Sequence, residues 1–117
     1  MIDRELLELA ARAAGIGLFD DEHGETWRVY YTDPNNGLKR YTRWNPLTDD
    51  GDALRLAVKL FMFVDSAAGA PDSFGAELVR AGNEVVDKTE PRTHNDPYAA
   101  TRRAIVRAAA EIGRSVK

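Results

Sequence analysis

The residues whose types could do chemistry are concentrated between positions 26 and 52, where aromatic and basic side chains precede an acidic helix start. Aromatic rings can stack on a nucleobase, and neighbouring cations can neutralise a phosphate. The free N–H groups at the beginning of a helix can also hold an anion. The sequence therefore predicts a binding site for a small anionic ligand. Its candidate residues are Arg40, Arg43, Trp44, Asn45, Thr48, Asp49 and Asp52.

The same stretch has a purely structural interpretation, which stays open at this point. Trp27 and Trp44 could belong to the core, and the arginines, Arg28 among them, could lay their stems along the surface. The polar residues Thr48–Asp52 could simply cap the helix. The three aspartates of that range complement the positive end of the helix and would repel a phosphate. They could instead accept hydrogen bonds from a base or ribose, or from an arginine of a partner protein.

No catalytic or metal-binding pattern stands out. The chain has no nucleophile elbow, P-loop, dinucleotide fingerprint or zincin motif. It contains no cysteine and two histidines, which excludes thiolate chemistry and cysteine-based zinc sites. The acidic loop Asp20–Glu25 lacks the spacing of a calcium loop. We therefore predict a non-catalytic protein with no cofactor and no metal site.

The charge distribution ranks the partners. A net charge of −3 over 117 residues argues against a general nucleic-acid binder. Between Thr26 and Pro46, however, four cations stand against one acid, which can steer an anion to that surface. A small anionic ligand or a host protein is therefore the first prediction for a partner, and a nucleic acid is the second.

Length and composition predict one domain spanning residues 1–117. A content of 44% hydrophobic and 30% charged residues is typical of globular proteins. The acidic N-terminus does not resemble a signal peptide, and no apolar run is long enough to cross a membrane. We therefore expect no membrane partner and a cytoplasmic location, in a bacterial host cell.

Hydrophobic periodicity predicts the elements that position the candidate site. A helix is expected over Asp3–Ala14 with a stop at Gly15, followed by a hairpin over residues 26–44. The middle helix starts near Asp49, and its predicted buried side consists of Ala53, Leu54, Ala57, Val58, Leu60 and Phe61.

The second half of the chain is predicted to complete a sheet. Phe61–Val64 is typical of a buried central strand, and a second hairpin is expected to turn at Ala81–Asn83. Asp96 and Pro97 then open the last helix. The predicted fold is α+β with the order α-β-β-α-β-β-β-α, a mostly antiparallel sheet covered by helices. Exposed strand edges on the hairpins are compatible with a homo-oligomer.

Two segments carry a family resemblance. Residues 44–57, WNPLTDDGDALRLA, and residues 96–109, DPYAATRRAIVRAA, are similar to the phage ABA sandwich domain family of small phage and prophage proteins. The resemblance implies a helix–sheet–helix (ABA) sandwich and a phage-related origin. It brings no catalytic residues, because the family is largely uncharacterised.

The predicted function combines this resemblance with the candidate site. We expect a non-catalytic phage or prophage accessory protein that binds a ligand or host factor, for example by sequestering a nucleotide messenger of host defence. The alternative is a nucleic-acid-binding accessory factor.

Overall fold

The computed structural model describes residues 2–65, 78–91 and 96–116 of the chain. Within those ranges, three helices and two small antiparallel sheets form an α+β fold. No helix in these ranges has both the length and the apolar character needed to cross a membrane. The elements are α1 (Asp3–Ala14), β1 (Leu18–Asp20), β2 (Thr26–Thr32), β3 (Lys39–Arg43), α2 (Asp50–Lys59), β4 (Phe63–Asp65), β5 (Leu78–Gly82), β6 (Asp87–Pro91) and α3 (Pro97–Arg114).

Local signals placed the helices correctly. Helix α1 has the predicted bounds, and Gly15 follows it with a left-handed φ of 71°. The carboxylate of Asp49 accepts the N–H of Asp52 at the start of α2, as expected of a cap. Asp96 does the same for Ala99 at the start of α3. Both ends of α1 and the starts of α2 and α3 are therefore confirmed.

The strand order differs from the prediction. Strands β2 and β3 form the expected hairpin, but β1 pairs antiparallel with the beginning of β2 and was missing from the predicted order. Its three residues are too few to produce a periodic signal. The described strands also form two sheets, β1-β2-β3 and β4-β5-β6, instead of one.

The second sheet corrects two further predictions. Strand β4 is an exposed edge strand and not a buried central one. The second hairpin turns at residues 83–86, because the Asn83 carboxamide accepts the N–H groups of Val85 and Val86 at 2.8 and 3.2 Å. Gly82 therefore stays in β5, opposite Asp87. Residues 74–77 of the predicted strand lie outside the described residues.

The core is built around α3, which contacts α1, α2, β5 and β6. Helices α1 and α3 bring small side chains together, so their backbones approach closely. At the closest point, a Cβ added to Gly113 would come within 2.7 Å of the Leu9 carbonyl carbon. The buried residues that these two helices contribute to the core include Leu6, Leu7, Ala10, Ala11, Ala14, Ala104, Ile105, Ala109 and Ala110.

Helix α2 buries only part of the predicted side: Ala53 and Ala57 are buried as expected, and Leu60 is partly buried against the core. Among the expected core residues, Leu54 is 63% exposed, Val58 67% and Phe61 89%. The helix is apolar around more than half of its circumference, so periodicity alone allowed more than one orientation. The orientation is set by Asp52, whose carboxylate accepts the Asn45 N–H at 3.0 Å and turns its side of the helix inward. The buried residues are Asp52, Ala53, Leu56 and Ala57.

Candidate functional site

The predicted site lies where one face of the hairpin meets the beginning of α2. Arg28 and Thr42 are paired across β2 and β3. After β3 the chain bends back, and the Trp44 N–H donates to the Thr26 carbonyl oxygen at 2.9 Å. The Thr26 hydroxyl in turn donates to the Trp44 carbonyl oxygen. These two bonds hold the start of β2 against the turn that leads into the helix.

Four of the predicted site residues form a hydrogen-bond network in that turn. The Asp52 carboxylate accepts the N–H of Asn45, and the Asp49 carboxylate accepts the N–H of Asp52 at 2.8 Å. The Asn45 side-chain oxygen accepts the Leu47 N–H at 3.0 Å, and the Thr48 hydroxyl donates to the Asn45 carbonyl oxygen at 3.4 Å. Most polar atoms of these residues are therefore engaged in shaping the turn.

Trp44 is a core residue, with 2% of its surface exposed. It cannot offer a free ring face for stacking. It does form part of a cavity wall, and its indole N–H donates to no atom in the part of the chain that the structure describes. A buried indole normally has an acceptor. This donor is therefore available to a ligand that reaches it.

Two adjacent cavities lie at this junction, and we call them together the groove. The narrow cavity, of about 180 Å³, lies over Trp44, and the wide cavity, of about 410 Å³, lies beside the turn. Arg28 and Arg55 line both. The narrow cavity is completed by Ala14, Ile16, Trp44, Leu56 and Lys59. The wide cavity is completed by Glu25, Thr26, Thr42, Arg43, Asn45, Thr48, Asp49 and Asp52.

The two parts of the groove differ in charge. The narrow cavity is lined by Arg28, Arg55 and Lys59 and by no acid, over an apolar floor. The wide cavity has three arginines opposed by Glu25, Asp49 and Asp52. An anion is consequently favoured in the narrow cavity, whereas the wide cavity suits neutral polar groups.

Arg28 is the cation with the clearest capacity for a ligand. Arg55 is already engaged, because its guanidinium donates to the Asp52 carboxylate at 2.9 Å. Arg28 is half-buried, and its guanidinium forms no hydrogen bond or ion pair with the described residues. A half-buried guanidinium that forms no ion pair with the described residues can hold an anion beside it through charge-assisted hydrogen bonds. From the sequence alone, Arg28 was one of the arginines that could lie along the surface, and it was not among the candidate residues.

The two predicted arginines lie in different places. Arg43 borders the wide cavity, and its guanidinium carbon lies 5.5 Å from the centroid of the Trp27 ring. Arg40 is paired with Tyr31 near the other end of β3 and lines neither cavity. The structure thus brings together Arg43, Asn45, Thr48, Asp49 and Asp52 around the wide cavity, places Trp44 in the narrow one and leaves Arg40 outside.

The acidic loop between β1 and β2 supports the hairpin. The Asp21 carboxylate accepts the Trp27 indole N–H at 2.9 Å, and this bond lowers the pKa of Asp21 below its usual value. The backbone N–H groups of Glu25 and His23 also donate to it. Across residues 2–65, 78–91 and 96–116, no three acidic or histidine side chains are grouped closely enough to hold a metal ion.

Comparison with known proteins finds no match for this chain: no family model, curated protein or solved structure is significantly similar to it.

Proposed function

We propose that this chain is a non-catalytic accessory protein of phage or prophage origin that binds a small anionic ligand in the groove. The observation that carries the proposal is the half-buried guanidinium of Arg28, which lines both cavities and forms no ion pair with the part of the chain that the structure describes. The phage origin and the arrangement of the elements as an ABA sandwich rest on the resemblance of residues 44–57 and 96–109.

The two cavities favour a ligand of nucleotide type. A phosphate group suits the narrow cavity, where Arg28, Arg55 and Lys59 supply positive charge. A ribose or base suits the wide cavity, which offers hydroxyl, amide and carboxylate groups. Ligand pockets commonly measure about 300–1,000 Å³, a range that the wide cavity of about 410 Å³ falls in. We propose that the bound species is a nucleotide messenger of host defence, which the protein sequesters.

Replacement of Arg28 by glutamine tests this proposal. Melting curves would be recorded with inorganic phosphate and with a panel of linear and cyclic nucleotides. Ligand at 100 times its dissociation constant stabilises a protein by about 2.7 kcal/mol. For a domain of this size that raises the melting temperature by roughly 10 °C. We expect at least one nucleotide to produce such a shift and Arg28→Gln to abolish most of it.

The matched control is Arg40→Gln, which removes the same charge from the same hairpin outside the groove. It should retain the full shift, and the nucleotide should be recovered chemically unchanged. If no compound shifts the melting temperature, or if Arg28→Gln responds as the wild type does, the small-ligand proposal fails and a protein partner remains.

A second function, a nucleic-acid-binding accessory factor, is favoured by the outer part of β3. Lys39 and Arg40 are exposed there and form no ion pair within the described residues. Beside them, the rings of Tyr41 and Phe19 meet edge to face at 4.9 Å between centroids, and both are partly exposed. Cations interleaved with rings are typical of single-strand binding surfaces.

Salt dependence distinguishes this second function from the first. Retention of a single-stranded oligonucleotide should fall steeply with salt, and removal of Lys39 and Arg40 together should lessen the slope by about 1.4, since each single-strand phosphate contact contributes about 0.7. Arg28→Gln, which lies outside this surface, should leave the slope unchanged. Absence of retention even at low salt would remove the nucleic-acid hypothesis.

A further inference from the structure

We propose that a second copy of this chain docks on the exposed face of α2 and forms a twofold-symmetric dimer. Leu54, Val58 and Phe61 are spaced by four and three residues, so they form one continuous stripe along the helix and its C-terminal turn. All three are mostly exposed. An amphipathic helix normally turns such a stripe towards a partner, and within the described residues this one has none. The stripe is independent of the groove.

The backbone conformation at Phe61, the C-terminal residue of the stripe, directs its side chain away from the folded chain. Helix α2 ends with the Met62 N–H donating to the Ala57 carbonyl at 2.9 Å and the Phe61 N–H donating to the Val58 carbonyl at 3.2 Å. This termination puts Phe61 in the left-handed region, with a φ of 54°, where glycine is the usual residue. Glycine would satisfy the helix end without strain. The phenyl ring, 89% exposed, therefore points to a use outside the folded chain.

A complementary cleft lies beside the other end of the stripe. It measures about 550 Å³ and opens between α2, β4 and the first turns of α3. Leu54, Val64 and Tyr98 form its exposed rim, and the buried side chain of Ile105 lies at its base. We call it the apolar cleft. It offers room for an aromatic side chain.

These features fit a second copy because each chain carries both halves of the contact. If two α2 helices pack antiparallel about a twofold axis near Val58, the Phe61 ring of each copy reaches the apolar cleft beside Leu54 of the other. The stripe spans about 10 Å at 1.5 Å per residue, and Val58 lies near its middle. The twofold axis therefore places the Phe61 end of one stripe against the Leu54 end of the other. Such a self-complementary patch is what a twofold dimer requires.

The available area is also sufficient. Stable interfaces cover about 800 Å² on each partner. The stripe and the rim of the apolar cleft are extended by the exposed side chains of Phe63 and Val85, which border a further apolar cavity next to Phe61. These seven side chains are each 41–89% exposed, and since a large apolar or aromatic side chain can bury on the order of 100–200 Å², together they can supply a contact area on the order of that size.

Disulfide trapping tests the axis directly, because the chain has no cysteine of its own. A disulfide needs Cα atoms within about 7 Å of each other, which only residues close to a twofold axis satisfy with their own copies. Val58→Cys should therefore form a covalent dimer rapidly under mild oxidation. Leu38→Cys is the matched control: Leu38 is 67% exposed, as Val58 is, but lies on the first hairpin. It should remain largely uncrosslinked.

Sedimentation supplies the second readout. Wild-type protein should show twice the 13.0 kDa mass of one chain, and Phe61→Gly should shift the population to the monomer. The glycine variant should keep a cooperative melting transition, because it relieves the left-handed backbone. A wild-type protein that stays monomeric at about 100 µM, well above the micromolar dissociation constant of a weak dimer, or equal cross-linking of the two cysteine variants, would overturn the proposal and leave the face to another partner.

Discussion

Replacing Gly113 by alanine should lower the free energy of unfolding by about 3 kcal/mol, the upper part of the range for overpacked cores. A Cβ there would lie well inside 3.0 Å of the Leu9 carbonyl group of α1. The obstacle is backbone, so no side-chain rotation can relieve it. Helices α1 and α3 would have to separate along an interface built mainly of alanines. Urea denaturation followed by circular dichroism measures the loss.

Gly17→Ala is the control for this substitution. No atom lies within 4 Å of a Cβ at Gly17, and its φ is not in the left-handed region. Alanine should leave stability unchanged or raise it by up to about 1 kcal/mol, because it restricts the unfolded chain. If the denaturation midpoints of the two variants coincide, α1 and α3 do not pack as closely as described.

Replacing Trp44 by alanine should lower the free energy of unfolding by about 3–5 kcal/mol, as removal of a large buried aromatic side chain does. Trp44 is 2% exposed and belongs to the main core cluster. Its loss opens a cavity next to the turn that carries Asn45 and leads into α2. The variant should consequently lose ligand binding mainly through loss of structure, in addition to any contact that a ligand makes with the indole N–H. Circular dichroism is the appropriate measurement, since the substitution itself alters fluorescence.

Trp27→Ala is the control for Trp44→Ala, because it removes the same kind of side chain from a less buried position. Trp27 is half-buried, and its removal deletes one hydrogen bond to Asp21 and one cation–π contact with Arg43. We expect the loss of these two contacts to lower the free energy of unfolding by about 1–2 kcal/mol. A Trp44→Ala variant that is as stable as Trp27→Ala would show that Trp44 is not a core residue.

Local signals were sufficient for much of the fold. The bounds of α1, the hairpin of β2 and β3, and the caps Asp49 and Asp96 all depend on residues close together in sequence. Capping, turn chemistry and short-range periodicity each depend on a few neighbouring residues. They can therefore be recognised in a single amino-acid sequence. Strand β1 was not predicted, because a strand of three residues is too short to show the two-residue alternation of polar and apolar side chains.

The orientation of α2 required tertiary information. Leu54 and Val58 satisfied helical periodicity as well as Leu56 did, and the sequence offered no reason to prefer Leu56 as the buried residue. The hydrogen bond between Asp52 and Asn45 decides between the two faces. Aspartate side chains are rarely buried, so the residue type at position 52 gave no reason to predict that this side of the helix faces the core.

The candidate site was predicted as a region more accurately than as a set of residues. The approach of the hairpin to the start of α2 follows from the Asn45–Pro46 turn, and it unites five of the seven predicted residues around the wide cavity. Arg40 and Arg28 could not be ranked from sequence, because both alternate with aromatic residues in strands. The pairing of β2 with β3 and the packing of α2 place Arg28 at the narrow cavity, where its guanidinium has no partner among residues 2–65, 78–91 and 96–116.

Nuclear magnetic resonance of the arginine side chains tests the central claim, that the groove binds an anion through Arg28. Protein labelled with nitrogen-15 would be titrated with adenosine triphosphate and with inorganic pyrophosphate, and the Nε–H signals of Arg28, Arg55 and Arg40 followed. We predict saturable shifts for Arg28 and Arg55 and none for Arg40. Equal, unsaturable shifts of all three signals, or a shift of the Arg40 signal alone, would show that the groove does not bind an anion through Arg28.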